Sequence, residues 1–540
     1  MTVPPNRPFL LPLRLIAVGG VLACAVLSQA NLGPDAYTRL LAWLPLTVAD
    51  GSVVGGDLVW QTLRSGFVLG IALGLAHLAS LALTLIVDRT GSVGRGLAGV
   101  LFAAIAFIPI AALSWGFVGW WIGLQHGSIE TLLGYTPPPG KDTAALAMAR
   151  LIWRWAAPCL LLALPLTGWL ALHRGRDLAQ LRGDVSILGL RARGLPPTWI
   201  FYHHILPRLW PIWRRGLEIC GVMATALMLV VEDAVQFHGV GASMLTAVRA
   251  GDVPAMAQGL YAVFWTAAVG CAVVGFVERR DPWRAAMAAA RPKEVRTTSD
   301  RSWLAGLAVV AVVAMAAWWL GSRLSATPWA VELVQRMGAL APVMGTDLEA
   351  TFAALGLAAC GGLIFGALRS TPIGGLPRSL ALSETIVWLP LLAAWPALAA
   401  LAKTYGLPDY AWLALAALGW VVTRLDSAWA AASSARHVEG AKALGQRPVP
   451  TFFIHVLPSM IWPWLLAIFD MLPWLWVGRI WITSVVPGTD PQASLGAQVA
   501  AAQGQILTRP EDLLPATLVA VLCALCLALP SRILRSLRPD

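Results

Sequence analysis

Apolar residues run along this chain in blocks of about twenty, separated by short polar or Gly- and Pro-rich stretches, so each block is long enough to cross about 30 Å of hydrocarbon as a helix. The pattern predicts spans near residues 12–30, 60–87, 98–121, 147–172, 212–233 and 257–277, and a second set near 304–322, 349–368, 380–402, 410–425, 460–485 and 512–530. Between the sets lies Glu278 to Ser302, polar and rich in Arg, which reads as a linker. The expectation is an all-α polytopic membrane protein of about 12 transmembrane helices in two six-helix halves, 1–278 and 303–540, joined by a cytoplasmic linker over 279–302.

Composition removes the soluble alternative. The 540 residues are 58% hydrophobic and only 12% charged, against about a quarter charged in a soluble domain. The net charge of +11 would suggest nucleic acid in a soluble protein, but here the basic residues lie in loops on one side, so no nucleic-acid partner is expected. With the N-terminus inside, the outer loops hold only Arg39, Lys141, Arg249, Arg323, Arg336, Lys403 and Arg509. That asymmetry places both termini and the linker in the cytoplasm. The basic and apolar start of the chain resembles a signal peptide, but its long apolar run favours a retained first span. The 7 cysteines fall inside apolar runs, where a thiol acts as a small hydrophobe; Cys523 and Cys526 share a membrane-grade helix without further ligands.

One internal repeat stands out. Leu188 to Pro207 aligns without a gap on Glu439 to Pro458, sharing Gly189/Gly440, Ala192/Ala443, Gly194/Gly445, Pro197/Pro448, Phe201/Phe452, His204/His455, Leu206/Leu457 and Pro207/Pro458 at a constant spacing of 251. Each copy predicts a short helix broken at Gly, a Pro-marked restart, and a second helical stretch ending at Leu-Pro where a span begins. Arg191 and its neighbours keep the segment on the inner side, free to present a face to a cytoplasmic partner. One copy alone would pass for an ordinary interfacial loop, but two in register make that reading a poor one.

The pattern E-x-A-x-x-x-G with Leu-Pro further on resembles the EAA loop of ABC importer permeases, the coupling helix that docks on the nucleotide-binding subunit. The second half carries it as Glu439, Ala441, Gly445, Leu457 and Pro458, departing at Gly440 and His455; the first keeps Gly194, Leu206 and Pro207 but has Leu188 in place of the acid. Within that group the chain is most similar to the dipeptide/oligopeptide/nickel family. Val231, Glu232, Phe237, Gly239, Gly241, Asp252, Pro254 and Gly259 follow one permease subunit type, and residues 436–540, with Gly496, follow the other. The resemblance implies both subunit types fused in one chain with a type I importer permease fold. It further implies a place in a bacterial inner (cytoplasmic) membrane, two cytoplasmic ABC ATPase subunits as partners, and a periplasmic or extracellular solute-binding protein that delivers a peptide or a related solute such as nickel. The coupling residues would be Arg191, Ala192, Gly194, His204, Leu206 and Pro207 in one loop, and Glu439, Ala441, Gly445, His455, Leu457 and Pro458 in the other.

No phosphate-binding G-x-x-x-x-G-K-[ST] is present, and Gly134 to Asp142 has the wrong spacing and three prolines, so ATP and Mg belong to the partner subunits, with no cofactor on this chain and no catalytic residue. His203, His204 and His455 sit in loops without a ligand cluster, so no metal site is expected. Glu232, Asp470 and Arg479 fall in the fifth span of each half, where an ionisable group either lines a pathway or forms a paired charge near a span end. Of the 27 Trp, those near span ends, such as Trp60, Trp120 and Trp210, suit the lipid headgroup level, and the group from Trp462 to Trp481 reads as packing. Two other readings stay open on the residues alone: a fused ABC permease for another substrate such as iron or thiamine, and a secondary transporter or channel that needs no ATPase.

Overall fold

A computed structural model describes residues 56–90, 92–127, 144–182, 184–279, 328–370, 409–433, 435–485, 494–505, 509 and 512–537, with Ile16 and Ala23. The expected spans near 304–322 and 380–402, the linker after Arg279 and the loop Gly134 to Asp142 lie outside the described residues, as does the span near 12–30 apart from those two positions.

Every described element is helical. The first half contributes α1 (Gly56–Asp88), α2 (Ser92–Phe107), α3 (Ile110–Gly127), α4 (Ala144–Arg182), α5 (Val185–Ala192), α6 (Pro197–Ile200), a π-helical turn (Phe201–Ile205), α7 (Leu206–Ala234), α8 (Val240–Ala250) and α9 (Val253–Arg279). The second contributes α10 (Pro328–Ala339), α11 (Ala341–Ser370), α12 (Asp409–Ser433), α13 (Arg436–Ala443), α14 (Pro448–Thr451), a π-helical turn (Phe452–Val456), α15 (Leu457–Val485), α16 (Leu495–Gly504), α17 (Leu513–Leu527) and α18 (Leu529–Leu537). Among the described residues, five helical stretches are long and apolar enough to cross a membrane: Trp60–Asp88, Trp155–Ala179, Ala341–Ile364, Val449–Val485 and Leu513–Arg535. A bent pair, Val93–Phe107 with Ile110–Val118, makes a sixth if it is counted as one span. The chain is therefore a helical membrane protein.

The expected spans near 212–233, 257–277 and 410–425 fall within α7, α9 and α12. α7 is less apolar than the stretches named above because it carries Arg214, Arg215 and Glu218 toward one end and Glu232 and Asp233 at the other. The single span expected over 98–121 is instead two helices meeting at 79°. The break has a local cause: Pro109 has no N–H with which to continue α2, and its carbonyl accepts from Leu113 N (3.0 Å) at the start of α3.

The repeat seen in the loops extends through the bundle. α5, α6, the π turn and α7 begin and end 251 residues before α13, α14, the second π turn and α15, and α4 ends at Arg182 where α12 ends at Ser433, the same spacing. Burial follows the register along α4 and α12, with Leu162/Leu413, Ala163/Ala414, Leu166/Ala417 and Leu170/Val421 buried in both. α1 and α11 also correspond, at a spacing of 282, with Ser65/Asp347, Ala72/Ala354 and Ala76/Ala358 buried in both. In each half the first long helix packs along the helix that precedes the hairpin, α1 on α4 and α11 on α12, and the long helix after the hairpin, α7 or α15, holds the bundle together.

The halves meet through an apolar seam. Phe102, Ala103 and Phe107 of α2 pack with Val519 and Ala520 of α17 and with Trp476 and Ile480 of α15. The Phe107 and Trp474 rings lie edge to face at 5.0 Å, and Trp476 Nε1 donates to Ala520 O at 2.9 Å, so the buried indole is satisfied.

Candidate functional site

The two hairpins are built alike. α5 ends where Gly194 takes φ +77°, and α13 ends where Gly445 takes φ +78°, a left-handed conformation that glycine adopts without strain. Pro197 and Pro448 then open the second short helix, where a missing N–H costs nothing. The Leu-Pro pair at the far end also acquires a physical meaning. Pro207 and Pro458 have no N–H to donate, and just before them the helix widens, so that Leu206 N reaches Phe201 O and Leu457 N reaches Phe452 O, five residues back. The prolines are thereby carried inside a continuous helical path from the hairpin into α7 and α15.

Each hairpin is anchored by a few apolar residues and exposes the rest. In the first, Ile187, Ile200 and Ile205 pack on Leu178 and Leu181 of α4 and on Leu209 and Trp213 of α7. In the second, Val438, Phe452 and Val456 pack on Trp429 and Ala432 of α12 and on Met460 of α15. Facing away are Val185, Leu188, Trp199 and Tyr202 on one, and Leu444, Val449, Phe453 and Ile454 on the other, with Leu444 89% exposed. Such apolar exposure in repeated form marks a surface that meets something.

Arg191, Ala192 and Gly194 are exposed, and His204, Leu206 and Pro207 are half-buried at the hairpin's return. In the second half Glu439, Gly445 and Pro458 are exposed, His455 and Leu457 half-buried, and Ala441 buried. The copies differ at their starts. Asp184 caps α5, its Oδ1 accepting from Ser186 N and Ser186 Oγ, both at 2.8 Å, and these bonds hold its carboxyl below the ordinary value. Arg208 adds a contact to Asp184 at 3.4 Å. The matching position ahead of α13 is Ala435, which has no capping oxygen, and Glu439 stands exposed in the first turn of α13 where Leu188 stands in α5.

The three charged residues singled out within the spans are each held by groups of the same chain. Glu232, fully buried at the end of α7, accepts from Ser65 Oγ (2.6 Å) and from Gly241 N (2.7 Å) at the start of α8, while Ser65 Oγ accepts from Val240 N (3.0 Å). Arg479 donates through Nε to Asp347 Oδ1 at 3.2 Å, and Asp347 Oδ2 accepts from Leu495 N (2.7 Å) at the start of α16. Asp470 is ion-paired with Arg535 of α18. Next to Glu232, Asp233 makes a two-pronged pair with Arg249 of α8 at 2.8 and 2.6 Å, which raises the Arg249 pKa further.

Sequence reasoning named Glu232 and Arg479 but passed over Ser65 and Asp347, which hold them. Both are buried polar residues inside apolar helices, and that was the available signal. Gly241 and Gly496 mark the same junction in the two halves. A Cβ on Gly241 would stand 2.6 Å from Leu229 Cα, and one on Gly496 would stand 2.2 Å from Ile480 O and 2.0 Å from Thr483 Oγ1. The short helix thus sits directly on the long one in both.

No protein-family model matches this chain, and no curated protein or solved structure matches it.

Proposed function

We propose that the chain is the complete membrane pore of an ATP-driven ABC importer: two type I permease halves of six helices each, fused so that the two unlike subunits of the dipeptide/oligopeptide/nickel group come as one polypeptide. The single observation that carries this reading is the pair of hairpins, alike helix for helix at a spacing of 251, each turning an apolar face away from the bundle. A channel or secondary transporter does not require two such faces. In an importer each face seats one cytoplasmic ATPase subunit, and closure of the ATPase pair on ATP moves the hairpins and with them α7 and α15, because the helical path into those helices is unbroken. Substrate arrives from an outer solute-binding protein and is a peptide or a related small solute. Both termini lie in the cytoplasm, as the basic-residue asymmetry requires.

The test is capture of the detergent-solubilised chain with its neighbours, followed by ATPase and uptake assays in vesicles. Leu444→Glu buries a charge in the docking face without touching the bundle, and Glu439→Lys reverses the acid of the loop. Each is expected to lower transport-coupled ATP hydrolysis about tenfold, as loss of an interface anchor does, while membrane insertion is unchanged. Full coupling in both variants, or purification without any ATPase, would overturn the assignment.

A further inference from the structure

The first half holds a buried polar cluster that the second half replaces with hydrocarbon. Arg174 of α4 is 1% exposed; the residue in register with it is Leu425, also buried at 1%. His77 and Ser80 of α1 correspond to Ala359 and Gly362 of α11, and Trp213 of α7 to Trp464 of α15. In the second half Trp464 Nε1 donates to Ala359 O at 3.2 Å. In the first, Arg174 Nη1 takes the corresponding carbonyl, His77 O, at 2.8 Å, and its two terminal nitrogens also contact Ser80 Oγ and His77 Nδ1. The indole of Trp213 lies against the guanidinium, with Cζ 5.5 Å from the ring centroid.

Two donors are left over. Arg174 Nε and Trp213 Nε1 are both buried and have no acceptor, and Asp177, three residues further along α4, is a carboxylate whose charge acts on the guanidinium without satisfying Nε. A buried guanidinium with one N–H unbonded, beside an orphaned indole N–H, is costly in any fold. The second half shows that this fold closes the same junction with Leu, Ala and Gly, so packing does not require the cluster. Its chemistry asks for an anionic acceptor.

We infer that Arg174, Trp213 and His77 form a site for the phosphate of an anionic phospholipid, drawn from the leaflet on the side of the hairpins. Arg174 lies five residues before the hairpin-side end of the span Trp155–Ala179, which sets it near headgroup level. The open edge of the cluster is His77, half-exposed on α1 and edge to face with Trp210 at 5.9 Å. α1 is the most exposed of the long apolar helices, and Leu75 and Leu78 flank His77 with their side chains outward, so acyl chains have a surface to lie on. Basic pockets between spans near the membrane face are suited to such headgroups. Trp213 also belongs to the apolar group under the first hairpin, so occupancy bears on that hairpin and not on the second.

The experiment is thermal unfolding of the purified full chain in neutral detergent, with added phosphatidylglycerol, phosphatidylcholine or inorganic phosphate. Phosphatidylglycerol is expected to raise Tm by about 3 °C at saturation, as a ligand specific for the folded state does, with no shift from the other two. Arg174→Leu copies the second half and is expected to abolish the shift. Trp213→Phe, which removes the orphaned N–H while keeping an aromatic, though smaller, ring against the guanidinium, is expected to reduce it and keeps the test open should Arg174→Leu not fold. An equal shift with phosphatidylcholine or with inorganic phosphate, or a full shift in either variant, would overturn the proposal. The readout involves no ATPase and no transported solute, so its failure leaves the importer reading where it stands.

Discussion

In both halves a short helix must be seated on the end of a long one, and the N–H groups at its start must find acceptors inside the protein. The first half supplies a carboxylate from the long helix α7, Glu232, and a hydroxyl from α1, Ser65. The second has the chemistries exchanged: Asp347 of α11 occupies the register of Ser65, and Thr483 of α15 the register of Glu232. Ser65 and Asp347 each lie 23 residues before the end of their helix, at Asp88 and Ser370. The second half then adds Arg479, in register with Met228, so that one cap is a buried carboxylate among neutral donors and the other a buried ion pair. What is kept between the halves is the place of the acceptor at a helix N-terminus, where the dipole favours an anion; which helix carries it is interchangeable.

The largest effect is expected where the exchange also brought in a cation. Asp347→Ala removes the carboxylate paired with Arg479 and is expected to cost about 3–5 kcal/mol, the range for breaking a buried pair. Glu232→Ala strands only neutral donors and is expected to cost about 1–3 kcal/mol. Denaturation of the two variants in the same detergent separates them, and equal losses would mean that Arg479 contributes nothing beyond a cap. The comparison sharpens with a swap. Glu232→Thr alone is expected to cost about 2 kcal/mol. Ser65→Asp with Glu232→Thr, which gives the first half the second half's arrangement, is expected to recover more than half of that loss as a coupling energy.

How much of this was legible follows from where the repeat spacing is constant. Between Arg182 and Ala234 the two halves differ by 251 throughout, so the hairpins, their glycines and their Leu-Pro pairs could be aligned by eye, and the helices there start and stop at matching residues. α1 and α11 differ by 282, because the stretch after α1 is longer than that after α11, and the Ser65/Asp347 exchange stays hidden until the helix ends are known. The break at Pro109 was passed over because the residues on both sides are equally apolar. An expected span ending at 172 leaves Arg174 among the basic residues beyond it, and only packing shows it folded back between α1 and α7. Apolar length foretold helices at α7 and α12 but not their surroundings, since a buried helix carries charge at its ends for reasons of pairing that hydropathy does not record.

At the hairpin tips the halves should behave alike. Gly194 and Gly445 have nearly the same positive φ, and nothing lies within 4 Å of where a Cβ would stand, so Gly→Ala meets backbone strain alone at each. The cost is expected to be about 1 kcal/mol in each half. Amide hydrogen exchange across 185–205 and 436–456 would report it. A cost at only one tip would show that the glycines do different things despite the shared geometry.

The smallest effect is expected at the start of the hairpins, where the halves part again. The Asp184 carboxyl is held below its ordinary value of 3.8 by the bonds from Ser186, and Ala435 offers no side chain to titrate at the corresponding cap. A depressed carboxyl contributes stability that is present above its ordinary pKa and is lost as the pH falls through the lower, folded-state value. Local protection of α5 is therefore expected to weaken in that acid window as the cap is protonated. Asp184→Ala is expected to remove about 0.5–1 kcal/mol at neutral pH, to abolish the acid step in α5 and to leave α13 unchanged. Arg208 sits 3.4 Å from the same carboxylate, and Arg208→Gln should move the step by much less than loss of the Ser186 bonds does, because a partly exposed pair at that distance is weak and screened. If Arg208→Gln removes the step while Ser186→Ala leaves it, the ion pair rather than the helix cap holds the first hairpin closed.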